Sequence, residues 1–310
     1  MAQLLRSMAD LPEQFRMGAV AIGNFDGVHA GHRKLVAELV AQARNVGGPA
    51  VVLTFDPPPV AILVPDQLPT APLTSLARRA ELLGELDVDA LVAYPTDRSL
   101  LNLGPEDFFQ EKIHRQLGAK AMVEGPNFRF GKNRSGDISV LRALCENFGL
   151  KLSIVEAETD EGEMISSSRI RKALTEGDLA SANQMLTQPY QLSGIVSKGA
   201  RRGREIGFPT ANLEDVPNLI PCLGVYAGQV QLQGKSLAAA IHIGPNPTFE
   251  ELRSKVEVHI MDWDGTIYGE RLQLRLLHRV RETQKFTSVQ QLKTQLGQDI
   301  AKCRNLLGAS

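Results

Sequence analysis

Hydrophobic periodicity changes once along this 310-residue chain, and the change calls for two packed bodies of different class. Up to about residue 184, short apolar runs at 19–22, 50–55, 90–94, 121–124 and 151–155 alternate with segments of helical spacing. Leu35, Val36, Leu39, Val40 and Ala43 form one stripe. Leu76, Ala80 and Leu83 form a second, and Phe109, Ile113 and Leu117 a third. Pro105 suits a first helical position. Near-continuous apolar strands alternating with helices predict a parallel sheet covered on both faces. Two further helices are expected at about 168–176 and 178–186.

From Gln191 onward the rhythm is that of strands and turns. Gln233-Gly234-Lys235 separates two runs. Val256, Val258 and Ile260 alternate with Glu257, His259 and Met261, and Leu272, Leu274 and Leu276 alternate again. Asp264-Gly265 is a tight-hairpin signal, since both central residues of such a turn need positive φ. A closing helix carries Val289, Leu292, Leu296 and Ile300 on one face. This half predicts a small antiparallel barrel with a terminal helix. The boundary falls at 184–190, giving domains 1–185 and 186–310.

Composition narrows the function classes. Net charge is −1, with 43% hydrophobic and 22% charged residues, which points to neither nucleic acid nor a membrane surface. Cys145, Cys222 and Cys303 match no zinc spacing and are expected to be reduced thiols. No run approaches the ~20 apolar residues of a membrane helix, and no secretory leader is evident at the start. A cytoplasmic protein acting on small molecules is the expectation.

Ile22 to His32 ends the first strand and opens the first helix, where α/β sheets bind ligands. A helix N-terminus presents N–H groups to phosphate. Gly27 and Gly31 permit close backbone approach, and His29 and His32 can both donate to phosphate oxygens. This string resembles the His-x-Gly-His signature of the nucleotidyltransferase superfamily. In its fuller form, Gly23-Asn24-Phe25-Asp26-Gly27-Val28-His29, it resembles the bacterial FAD synthetase branch. Gly125-Pro126-Asn127-Phe128-Arg129-Phe130-Gly131 and Ile165-Ser166-Ser167-Ser168-Arg169-Ile170-Arg171 resemble two further motifs of that branch. The resemblance implies ATP contacts from Gly23, Asn24, Phe25, Gly27, Gly31, Ser167, Ser168 and Arg171. It assigns His29 and His32 to catalysis on the ATP phosphates, and Asn127 and Phe128 to the flavin.

Gly203-Arg204-Glu205-Ile206-Gly207-Phe208-Pro209-Thr210-Ala211-Asn212 resembles the Pro-Thr-Ala-Asn motif of riboflavin kinases, with the preceding glycine–basic segment from Gly199 intact. The resemblance implies that Gly199, Gly203, Gly207 and Pro209 attend ATP. It gives Thr210 and Asn212 to ATP and to Mg²⁺, which prefers oxygen ligands. Glu257 falls at the family's catalytic-base position, and Arg281 matches an arginine near the flavin. By strand alternation, Glu257 faces away from Val256, Val258 and Ile260.

The resemblance spans roughly 16–303. It implies a Rossmann-like nucleotidyltransferase domain followed by a riboflavin kinase barrel. The implied activities are phosphorylation of riboflavin by ATP to FMN, and adenylylation of FMN by ATP to FAD. Three positions depart from the pattern. Pro58 stands for a histidine, Met164 for an arginine, and His242-Ile243-Gly244-Pro245-Asn246-Pro247-Thr248 varies an Asn-Ile-Gly-x-Arg-Pro-Thr segment. The alternatives are a kinase with a weakened or lost adenylyltransferase, a non-catalytic flavin or nucleotide binder, and a cytidylyltransferase-like enzyme. Retention of Glu257, Thr210, Asn212, His29 and His32 disfavours the binder, and the barrel disfavours the last. A transient homo-oligomer stays open.

Overall fold

The computed structural model describes residues 1–8, 11–64, 70–198, 203, 206–246 and 251–309. They divide into two compact units: Met1–Thr70 with Thr74–Ser166, and Ala71–Leu73 with Ser167–Ser310.

The first unit follows the alternation. Its strands are β1 (Gln3–Leu5), β2 (Ala19–Ile22), β3 (Ala50–Asp56), β4 (Ala90–Pro95), β5 (Ala121–Glu124) and β6 (Lys151–Ile154). They form one parallel sheet in the order β1-β4-β3-β2-β5-β6. Its principal helices are α1 (Ala30–Val46), α2 (Pro59–Leu63), α3 (Leu76–Gly84), α4 (Arg98–Leu101), α5 (Pro105–Phe108) and α6 (Ile138–Phe148). A π-helical stretch, Phe109–Gln116, continues α5.

Successive strand residues face opposite sides, and two cores result. Ala19, Ala21, Ala50, Val52, Leu91 and Val123 pack with Val36, Leu39 and Val40 of α1 and with Leu82 and Leu83 of α3. Val20, Ile22, Val51, Leu53, Val92 and Met122 pack with Phe109, Ile113 and Leu117 and with Leu141 and Leu144 of α6. The edge strand β1, too short for a periodic signal, was not anticipated. A small hairpin, β7 (Thr159–Asp160) with β8 (Glu163–Met164), follows β6.

The second unit begins with α7 (Ser167–Glu176) and α8 (Leu179–Met185). Asn183 of α8 donates to Leu276 O at 2.9 Å and accepts from Tyr190 N–H at 2.8 Å. The strands β9 (Gln191–Ser197), β10 (Ala211–Glu214), β11 (Gly224–Leu232), β12 (Lys235–Asn246), β13 (Glu251–Ile260) and β14 (Arg271–Arg281) close a barrel in the order β10-β13-β12-β11-β14-β9. β11 and β12 meet through a two-residue turn with Gln233 at φ +50° and Gly234 at +76°.

Two expectations fail here. Asp264-Gly265 is not a tight hairpin: β13 already pairs on both edges, with β10 and β12, so β14 crosses to pair with β11 and β9. Glycine at 265 answers a different need, since a Cβ there would sit 2.4 Å from the Trp263 ring. The terminal helix α9 (Val289–Leu307) forms, but Val289 is exposed. Its buried face is Ile300, Cys303 and Leu307 against Val225, Ala227 and Val280, with Asp299 buried beside it.

Candidate active sites

In the first unit the chain leaves β2 toward β3 and β4, and later returns to β5 and β6 on β2's other side. The crevice at such a reversal, beyond the carboxyl ends of the strands, is where an open α/β sheet takes ligands. The strands part there: Ala19 and Val20 pair with Ala121 and Met122, but Ile22 N–H donates at 2.8 Å to Oε1 of Glu124. Burial holds the Glu124 carboxyl well above the usual carboxylate range. The Gly23–His32 turn and the loop carrying Asn127 and Phe128 leave the two strands that flank the crevice.

Residues Phe25, Gly27 and Val28 all have positive φ, at +47°, +84° and +42°. For a β-branched residue such as Val28 that conformation is costly and persists only where the surroundings hold it. Asp26 supplies the hold. It accepts from Thr74 N–H at 3.0 Å, Thr74 Oγ1 at 3.1 Å and Arg79 Nη2 at 3.0 Å, while Gly27 N–H donates to Thr74 Oγ1 at 3.0 Å. The motif reading singled out none of Asp26, Thr74, Arg79 or Glu124 as a site residue. Asp26 lay inside the motif, but its partners are about fifty residues away in sequence and carry no local signal.

The two histidines open α1. His29 is its N-cap, and its Nδ1 accepts from His32 N–H at 3.4 Å; His32 Nδ1 accepts from His29 N–H at 3.3 Å. With both Nδ1 atoms accepting, each neutral ring carries its proton on Nε2. The rings stack with centroids 3.6 Å apart, and Phe25 lies 4.9 Å from His32. Burial holds His29 down to about 4; burial, then His29 and Arg79, keep His32 well below its usual range. Gly31 leaves room for this stack, since a Cβ there would be 3.2 Å from His29 Nδ1. Phe25, read from sequence as an ATP contact, is buried and seats the His32 ring. Asn127 is exposed, and Phe128 stacks on Phe130 at 5.4 Å. Pro58 caps α2, and Met164, at the end of β8, is half exposed. Ser167, Ser168 and Arg171 fall on α7 in the second unit, where Arg171 Nε donates to Ala71 O at 3.4 Å.

In the second unit the strand register assembles the other site. Asn212 of β10 pairs with Glu257 of β13, and Glu257 pairs with His242 of β12. Cross-strand partners share a face, so all three stand on the barrel's outer side, opposite the buried Val256, Val258 and Ile260. Oε2 of Glu257 lies 3.7 Å from Nδ1 of His242. Thr210 and Pro209 precede β10 and are exposed; His259 Nδ1 lies 2.8 Å from Pro209 O. Gly203 O accepts from Phe208 N–H at 2.7 Å, and a Cβ on Gly203 would be 2.3 Å from Phe208 O, so only glycine fits. Gly207 has φ +90°. Gly199, Pro247 and Thr248 lie outside the described residues. Arg281 stands at the end of β14, where Nε and Nη2 bind Asp299 of α9 at 2.9 and 2.6 Å.

A FAD synthetase family model matches residues 11–169, and a riboflavin kinase family model matches 186–307. The bifunctional riboflavin kinase/FMN adenylyltransferase of Escherichia coli K12 is 35% identical over 99% of this chain and 98% of its own. That of Pseudomonas fluorescens is 32% identical over 99% of each. The chain belongs to the bifunctional riboflavin kinase/FMN adenylyltransferase family. It carries both domains of that family and both transferase activities, making FMN from riboflavin and FAD from FMN. A solved structure described as a macrolide-efflux protein from Streptococcus pneumoniae shares the fold, with a TM-score of 0.88 at 31% identity over 98% of this chain and 99% of that one. Among the described residues, no helix is long and apolar enough to cross a membrane. Its three cysteines are free thiols.

Proposed function

We propose that residues 1–185 carry adenylyl transfer at His29 and His32 and that 186–310 carry riboflavin phosphorylation at Glu257. The observation behind the second assignment is the register that sets Glu257 beside Asn212 on the open face of the barrel. A primary alcohol is a poor nucleophile at neutral pH. Glu257 takes the proton of the ribityl 5′-hydroxyl as that oxygen bonds to the γ-phosphorus of ATP; the bond to the β-phosphate oxygen breaks and ADP leaves. Thr210 and Asn212 offer oxygen donors, and the described residues contain no cluster of three His, Cys, Asp or Glu side chains. That donor set fits Mg²⁺ held largely by substrate phosphates and water. Thr210 and Asn212 would hold Mg²⁺, which would supply positive charge against the phosphates. Gly203 and Gly207 let the backbone approach ATP closely, and the family motif assigns Gly199 to the same substrate.

At the first site an FMN phosphate oxygen attacks the α-phosphorus of ATP and pyrophosphate leaves. No protein nucleophile takes part. His29 and His32 each present Nε2–H, as neutral donors at the start of α1, to the ATP phosphates. Gly23, Asn24, Gly27 and Gly31 shape the turn around the nucleotide, Phe25 seats His32, and Asn127 and Phe128 meet the flavin. Ser167, Ser168 and Arg171 attend the ATP phosphates. Arg281 borders the flavin of the kinase site. The enzyme works in the cytoplasm on these small molecules, without nucleic acid.

Riboflavin, ATP and Mg²⁺, with the three flavins separated over time, test the assignment. Glu257→Gln should lower FMN formation by ~10²-fold while FAD formation from supplied FMN continues. His29→Ala with His32→Ala should abolish FAD and spare FMN. A folded Glu257→Gln protein that loses both activities would refute separate sites.

A further inference from the structure

We propose that His242 is a positioning residue for riboflavin phosphorylation, holding the plane of the Glu257 carboxylate through its Nδ1. This rests on the reading of Glu257 as the base. The observation is the juxtaposition on adjacent strands: His242 and Glu257 are direct ladder partners, with Nδ1 and Oε2 3.7 Å apart. That separation exceeds a hydrogen bond, but catalytic contacts are commonly long without substrate and tighten in the reactive complex.

The other edge of the imidazole faces Gly244. Gly244, two residues along β12, has φ +149°, and a Cβ built there would lie 3.6 Å from His242 Nε2 and 3.0 Å from Thr283 Cγ2. Toward the other end of the strand, Ala238 and Ala240 on the same face pack against the core under α9. His242 thus stands where the helix-covered part of the barrel ends and the open part begins, with Glu257 on the open side. Lys255 and His259 flank Glu257 on β13, and Arg281, beyond Val225, is bound to Asp299. Glu257 is the acid that His242 meets across the ladder.

A glutamate side chain turns about three bonds, and a base must meet its proton at hydrogen-bond distance along one line. An imidazole donating from Nδ1 to Oε2 restricts that rotation, so the reacting hydroxyl meets the same carboxylate geometry in each turnover. This is an orientation effect, and it acts on kcat rather than on substrate affinity.

The test uses the full-length enzyme and steady-state riboflavin phosphorylation. His242→Ala should lower kcat about tenfold, with KM for riboflavin and ATP within about twofold. His242→Asn, whose amide can still donate, should recover most of the loss. In the Glu257→Gln background, His242→Ala should cause no further fall, because the group it orients no longer accepts a proton. His242→Ala at the parental kcat, or losses that multiply independently in the double variant, would overturn the inference. If His242→Ala fails to fold, His242→Asn and His242→Leu are compared: equal kcat in the two also overturns it. Glu257→Gln at the parental rate would remove the base reading itself, an outcome separate from any result with His242.

Discussion

His29 and His32 illustrate how much chemistry a residue takes from its surroundings. As side chains they are ordinary imidazoles, which titrate near pH 6.5. Stacked at the start of α1, His29 buried and His32 partly so, both are neutral, with His29 held at about 4. Between about 4 and 6.5 the unfolded chain binds a proton that native His29 refuses. Stability therefore rises with pH across that window and is lost as pH falls from about 6.5 toward 4. The His29 share is on the order of 3 kcal/mol, and His32 acts in the same direction. Denaturant unfolding at pH 7.0 and 4.5 checks this. His29→Asn keeps an N-cap acceptor and removes the titrating ring, so it should lose less stability between the two pH values than the parent. Equal losses would contradict a neutral, buried His29. Asp26 makes a related point. It lies within the first motif, and its carboxylate is bound to Thr74 and Arg79. Asp26→Ala leaves the Arg79 charge buried without this carboxylate and should cost about 3–5 kcal/mol of unfolding free energy, measured by the same method.

At the scale of elements, the strand-to-helix turn after β2 and the glycine loop after β5 were legible because their residue types are restrictive. Pro105 was likewise legible as a helix start, and it opens α5. The packing of these pieces was not legible. Gly131 has φ +72°, and a Cβ there would lie 2.7 Å from Pro105 N and 2.8 Å from its Cα. The loop bearing Phe128 therefore rests directly on the first turn of α5. Gly131→Ala should destabilise the protein by about 2 kcal/mol or more. It should also raise KM for FMN in FAD formation, with riboflavin phosphorylation unaffected. An unchanged KM would detach this loop from the flavin. The hairpin expected at Asp264-Gly265 failed for a reason local sequence cannot carry: turn chemistry scores two residues, whereas strand order is decided by which edges are already paired.

For the whole molecule, the boundary expected near 184–190 meets a structural fact about α7 and α8. Both helices belong to the barrel's unit, and Asn183 ties α8 to Leu276 and Tyr190. Asn218 likewise donates to Leu73 O at 3.0 Å, from a short segment far away in sequence. A fragment of residues 167–310 should therefore melt several degrees higher than 186–310, followed by circular dichroism. Both fragments should make FMN and neither FAD. A folded 167–310 fragment without kinase activity would refute the assignment of that reaction to the barrel.

The periodicity of apolar residues, by itself, determined the two classes of layer: a parallel sheet with both faces covered, and a closed antiparallel barrel with a terminal helix. It could do so because burial pattern follows the geometry of each strand and helix, which is a local property. The motifs determined which turns and strands are candidates for chemistry, because few residue types suit a phosphate-binding helix start or a carboxylate base. Only the tertiary structure decided the partners. The Asp26–Thr74–Arg79 brace, the Ile22–Glu124 contact beneath the first motif, the Arg281–Asp299 pair and the placing of His242 beside Glu257 each join residues from separate elements. Such contacts depend on strand order and register, which arise when the whole core closes and leave no trace in the spacing of either partner along the chain.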